Sequence, residues 1–196
     1  MIQNEIKYIK SSIEKPLNKE LIKDFVELYK QSDPLFFNLI QKKRININTY
    51  LKNLINKKNS SLESFYLIKK QENLVGFYNL NTNNSISFKN LNNIMILKKN
   101  LNGQEFKLIQ SVLLENFKLS KLPKKSVYVD RIVISKEFKF KGYGKMILKK
   151  IILESNYKKL SLHVNKINQN AIKFYFRNGF SVYDENTNYY TLIYKK

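Results

Sequence analysis

From Asn18 to Gln31 the apolar residues Leu21, Ile22, Phe25, Val26, Leu28 and Tyr29 recur at helical spacing, with Asn18 placed to cap the helix. Ser32-Asp33-Pro34 restarts a short helical segment that ends near Lys42-Lys43-Arg44, and Asn48–Ile55 forms another amphipathic piece. The first sixty residues therefore read as mostly helical, after a short strand at Ile6–Ile9. The period then changes. Phe65–Ile68, a turn at Gln71-Glu72-Asn73, and Leu74–Leu80 read as a β-hairpin, with Gly76 marking a bulge or a close approach of two backbones. Asn81–Asn93 is polar and weakly patterned, and reads as a loop or an irregular edge. Phe106–Phe117 has a helical pattern that Leu122-Pro123-Lys124-Lys125 ends, so residues 81–125 form an inserted loop or helix segment.

Ser126–Ile134 is the clearest strand. It is apolar on both faces, as a central strand is, with Asp130 and Arg131 in its middle. A glycine-bearing turn leads into a helix from Gly142 to Glu154. Leu160–Val164 then reads as a strand and Asn168–Arg177 as a helix; Phe180–Tyr183 and Tyr189–Tyr194 pair across Asp184–Asn188. The expected architecture is α/β: a mixed central sheet flanked by helices, one domain over residues 1–196.

Composition narrows the chemistry. Cysteine is absent and His163 is the lone histidine, which excludes a thiol nucleophile, thiolate metal sites and a multi-histidine metal centre. Charges thread through residues 1–14, and no run approaches a membrane span, so the expectation is a soluble cytoplasmic protein. The net charge of +21 comes almost wholly from lysine; arginine stands only at Arg44, Arg131 and Arg177. Sequence-specific nucleic-acid readers lean on the arginine fork, so the excess reads as a solvated surface and nucleic acid is not the expected partner.

One cluster of lysines coincides with a backbone signal. In Arg131–Met146 a strand hands over to a helix through Gly142 and Gly144, while Lys136, Lys139, Lys141, Lys145, Lys149 and Lys150 crowd round Glu137. Glycines let backbone amides approach a ligand, and the helix start adds partial positive charge, so the turn suits a pyrophosphate. A second motif follows: Asn168-Gln-Asn-Ala171-Ile-Lys-Phe174-Tyr175-Phe-Arg-Asn178-Gly179-Phe180, a helix closed by a glycine suited to a left-handed cap. Ala171, Phe174 and Tyr175 share one face of it; Tyr175 is either a core aromatic or a hydroxyl presented to a reacting atom.

Together, Lys139-x-x-Gly142-x-Gly144 and Asn168-x-x-Ala171-x-x-Phe174-Tyr175-x-x-x-Gly179-Phe180 resemble the two motifs of the GNAT N-acetyltransferases, in order and at a fitting separation. The motif resemblance spans about Val127–Phe180; Lys139 departs from the usual Arg or Gln, and residues 81–125 exceed the usual link into the central strand. What the resemblance implies is acetyl transfer from acetyl-CoA, as co-substrate, to a primary amine by direct attack, with no metal. The cofactor would lie on Ile132, Val133 and Ile134, the turn Lys139, Phe140, Lys141, Gly142, Tyr143, Gly144 and Lys145, and Asn168 and Tyr175. Tyr175 would protonate the departing thiolate. Asp130, on the face of Ile132 and Ile134 if the strand is regular, or a water relay, would take the amine's proton. His163 reads as a packed or exposed side chain rather than a base. Partners expected are a small-molecule or protein amine and no membrane, with a homodimer left open. The alternative is a basic polyanion- or nucleic-acid-binding protein of the same fold without catalysis.

Overall fold

The computed structural model describes residues 6–32, 37, 47–82, 86–100, 102–104, 106–107, 110, 121–155 and 158–196. In chain order the elements are β1 (Ile6–Ser11), α1 (Lys19–Lys30), α2 (Ile47–Leu54), β2 (Phe65–Lys70), β3 (Asn73–Thr82), α3 (Ile86–Asn100), β4 (Val127–Ile134), α4 (Tyr143–Glu154), β5 (Lys159–Asn165), α5 (Gln169–Arg177), β6 (Ser181–Glu185) and β7 (Tyr189–Lys195). The strands form one seven-stranded mixed sheet in the order β1-β2-β3-β4-β5-β7-β6, which puts β4 at its centre.

Alternation along the strands divides the core into two layers. Leu67, Phe77 and Val133 face α1 and α2, where Phe25 stacks on Phe65 at 4.2 Å and Leu51 and Leu54 are fully buried. Ile68, Val75, Tyr78, Val127 and Val129 face the opposite way, against Ile147, Leu148 and Ile151 of α4 and Ile172 of α5. The expected caps form: Asn18 accepts from the Leu21 amide at 2.9 Å, and Gly179 closes α5 at φ 87°. Gly76 sits where β2 and β3 shift register, and a Cβ there would collide with the Val133 carbonyl oxygen.

One segment departs from its expected state. Residues 86–93, expected as loop, belong to the helix α3. Its apolar residues fall on more than one side: Ile94 and Ile96 pack on the α1 layer, while Leu91 and Met95 are more than half exposed. Asparagine is also a weak helix former, so the periodic signal is faint. Tertiary bonds hold the helix instead. Asn93 accepts from the Ser61 amide at 3.1 Å and donates to the Ser61 hydroxyl at 2.8 Å, and Lys89 donates to Asn81 at 2.9 Å. The expected helical restart after Ser32 and most of the Phe106–Phe117 helix lie outside the described residues; Phe106, Lys107 and Gln110 are helical.

Candidate active site

The central strand is attached to its two neighbours very unequally. Along one edge β4 pairs with β3 from Val127 to Ile134. Along the other it meets the parallel strand β5 only at Val127↔Leu160 and Tyr128↔Ser161. A buried hydroxyl pair, Ser126 Oγ and Ser161 Oγ at 2.8 Å, fastens this closed end. Beyond it the strands part into a fork, and β4 from Val129 onward has no strand partner on that edge among the described residues. The cause is local. Leu80 pairs with Val129 and Asn79 with Arg131, so Asp130 is an extra residue in β4, and a bulge bends the strand that carries it.

That bulge corrects an expectation. Ile132 and Ile134 pack towards α4, whereas Asp130 points to the α1 side, where its Oδ2 accepts from Asn79 Nδ2 at 3.2 Å. Asp130 therefore does not share the face of Ile132 and Ile134. Burial raises its carboxyl above the usual carboxylate range, against the pull of Arg131 and Lys89.

At the far rim of the fork a 3-10 turn, Lys136–Phe138, carries the chain into α4. Phe140 and Gly142 both hold left-handed backbones, at φ 61° and 85°. Phe140 is 98% exposed, so no packing explains an aromatic residue in that conformation; such strain concentrates at functional loops. Gly142 caps α4 without a side-chain bond, and the first intrahelical bond runs from the Met146 amide to the Gly142 carbonyl. The amides of Tyr143, Gly144 and Lys145 are thus left over at the helix start, the arrangement that binds anions. Lys139, Lys141 and Lys145 are exposed around it. Tyr143 offers only its amide, because its ring is buried edge-on to Phe138 at 5.7 Å. From Gly142 a groove of about 660 Å³ runs down the flank of α4 past Lys145 and Lys149 to Tyr8, beside the fork rather than in it.

The motif on α5 lines the α4 side of the fork. Asn168 Oδ1 caps the helix by accepting from the Ala171 amide at 3.2 Å, which leaves its Nδ2 for a ligand. Phe174 packs 3.5 Å from where a Gly144 Cβ would stand, fixing α5 against the start of α4. Tyr175 lies between Phe174 and Phe180, with ring centroids at 5.2 and 5.3 Å. Its hydroxyl has no hydrogen-bond partner among the described residues, and burial raises its pKa well above that of a free phenol. The opposite wall holds two residues whose pairing the sequence did not reveal: Tyr128, a position where the family resemblance implies a catalytic or substrate-contacting polar group, and His163. Tyr128 Oη stands 3.1 Å from His163 Nδ1. The available signal was alternation: Leu162 and Val164 face α4, so His163 between them faces the other way, beside Tyr128.

A forked mixed sheet with an anion cradle at its rim defines a fold class, and comparison gives the family. The sequence matches the Acetyltransferase (GNAT) family over residues 22–180, and the chain belongs to that family. Solved structures share the fold. An N-acetyltransferase from Staphylococcus aureus Mu50 aligns at TM-score 0.63 and 12% identity, over 94% of this chain and 99% of that one. PaiA N-acetyltransferase from Thermoplasma acidophilum, in complex with coenzyme A, aligns at 0.55 and 16%, over 97% and 99%. A GNAT family acetyltransferase from Elizabethkingia anophelis with acetyl-CoA bound aligns at 0.52 and 16%, over 99% and 100%. No curated protein matches the sequence. Among the described residues no helix is long and apolar enough to cross a membrane, and no cluster of His, Asp or Glu could hold a metal ion.

Proposed function

We propose that this acetyltransferase moves an acetyl group from acetyl-CoA to a primary amine by direct attack of the amine on the thioester. One observation carries the reading: the edge of β4 that has no strand partner among the described residues runs from the fork to the amides and lysines at the start of α4. An extended pantetheine arm would pair with the backbone at Ile132, Val133 and Ile134. The pyrophosphate would rest on the amides of Tyr143, Gly144 and Lys145, with Lys139 and Lys141 flanking it across the strained Phe140. Asn168 would hold the arm from the α5 side. Two solved relatives with coenzyme A or acetyl-CoA bound support this choice of co-substrate.

In the reaction the amine nitrogen bonds to the thioester carbon, the carbon–sulfur bond breaks, and the thiolate needs a proton. Tyr175 supplies it. The raised pKa keeps the phenol protonated until sulfur departs, at some loss of acidity. The amine's own proton leaves on the opposite face of the sheet, the side to which Asp130 points.

The test is thiol release from acetyl-CoA by purified protein with four probes: spermidine, glucosamine, a peptide with a free N-terminal alanine, and a blocked peptide containing lysine. At least one should release coenzyme A above the amine-free background. Tyr175→Phe should then lower kcat by about 10²–10⁴ while leaving the KM for acetyl-CoA nearly unchanged. Silence with all four amines overturns the reading; full activity in Tyr175→Phe overturns the role of that hydroxyl.

A further inference from the structure

Tyr128 and His163 meet where the sheet divides. Tyr128 is the last residue of β4 in register with β5, and its partner there is Ser161. His163 lies two residues further along β5 on the same face, and its Nδ1 reaches back to Tyr128 Oη at 3.1 Å. A purely structural role would be to tie the two strands together. That tie already exists one step deeper, where the Ser126 and Ser161 hydroxyls meet in the closed ladder. The Tyr128–His163 bond instead stands at the opening. Tyr128 is buried while His163 is partly exposed, so a proton arriving at the pair has a way out to solvent.

The charges around the pair fit proton transfer. Burial, the negative charge of Asp130 and the nearness of Tyr175 all hold the Tyr128 hydroxyl above its ordinary pKa, while Arg131 and a hydrogen bond with the His163 backbone work against them. Tyr128 therefore does not ionise by itself; it can take a proton only while giving one up. Tyr175 packs on the α4 side of the sheet and Tyr128 bonds His163 where the strands part, so an acid and a proton acceptor stand on two sides of the fork.

We propose that Tyr128 takes the proton of the attacking amine as it passes its own to Nδ1 of His163, a route that rests on the acetyl-transfer reading. The balance is complete. Nitrogen bonds to the acetyl carbon and the carbon–sulfur bond breaks. The amine proton goes to Tyr128 Oη, the phenolic proton to His163 Nδ1, and the imidazolium returns one to water. The thiolate takes the Tyr175 proton, which solvent restores. Tyr128 is the catalytic residue of the pair, and His163 is a positioning residue that acts through it.

The lone histidine makes the test direct. Wild type, Tyr128→Phe and His163→Gln are compared in coenzyme A release with the four amines named above, and the imidazole is titrated by ¹H–¹⁵N NMR. Glutamine can keep the hydrogen bond but cannot hold the proton. Both variants should lose about 10²-fold in kcat with the KM for acetyl-CoA within twofold. The wild-type imidazole should carry its neutral-state proton on Nε2, and Tyr128→Phe should relax that preference. The acidic limb of kcat/KM that coincides with the NMR titration should vanish in His163→Gln, whereas any limb from the amine itself should remain. Activity within threefold of wild type in both variants, or an unchanged acidic limb in His163→Gln, overturns the route. A wild type that is silent with all four amines overturns the acetyl-transfer reading beneath it.

Discussion

Asp130 illustrates how a residue placed for chemistry weighs on stability. Its carboxyl is held above the ordinary 3.8 by burial, with Arg131 and Lys89 only partly offsetting it. A folded pKa raised above the unfolded one means that the native state binds the proton more tightly. Stability then falls as pH rises from about the ordinary carboxylate value through the folded pKa, and the loss persists at neutral pH. Asp130→Asn removes the buried charge and leaves an oxygen for Asn79 Nδ2 to meet. We expect its melting temperature at pH 7 to rise by about 2–4 °C for each kcal/mol relieved, and the gain to shrink as pH falls towards 4. Activity should drop in the same variant, because the carboxyl that acts on the Tyr128 hydroxyl is gone. Calorimetry at the two pH values checks the sign; a lower melting temperature at both would mean that the carboxylate is well paired as it stands.

At the scale of elements, the turn between β4 and α4 is where conformation and ligand meet most directly. Gly142 stands at φ 85°, and a Cβ there would meet nothing within 4 Å. A side chain would therefore bring backbone strain, about 1–3 kcal/mol, without a packing clash. Gly142→Val should fold with a melting temperature lowered by several degrees, while its methyls enter the space above the free amides. The rise in melting temperature that acetyl-CoA gives the wild type should disappear, since that rise measures binding to the native state alone. Thermal scans with and without acetyl-CoA decide the matter, and an undiminished rise would remove this turn from the site.

The backbone of this turn was legible in the sequence because Gly142, where a strand hands over to a helix, supplies the left-handed conformation that glycine adopts at little cost. Asn18, Asn168 and Gly179 were legible for a similar reason: each cap is local chemistry. Helix α3 was not, since long-range bonds from Asn93 and Lys89 hold it. Nor was the bulge at Asp130, which exists only in the pairing of β4 with β3. A one-residue offset of that kind leaves no trace in periodicity, yet it decides which face a carboxylate serves. His163 was undervalued for the same reason, because its partner lies on another strand.

For the whole molecule the question is whether a charge of +21 acts as a field or through particular lysines. At physiological ionic strength the screening length is about 8 Å, so distant lysines contribute little to a bound phosphate. Lys139 and Lys141 flank the cradle, whereas Lys57 and Lys58 follow α2, whose Leu51 and Leu54 pack in the layer on the other side of the sheet from α4. Exposed ion pairs are worth about 0.2–1 kcal/mol each, so replacing Lys139 and Lys141 by Gln should raise the KM for acetyl-CoA about five- to tenfold. Its salt dependence should also flatten, because fewer cation–phosphate contacts remain to be screened. The matched change of Lys57 and Lys58 removes the same net charge and should leave both quantities within about twofold of wild type if the cradle lysines act locally. A polyanion-binding surface would behave otherwise: there, losing any two lysines weakens binding and lowers the salt slope alike. Equal effects from the two pairs, measured as KM across a series of salt concentrations, would show that the charge works as a diffuse field and would detach the phosphates from the start of α4.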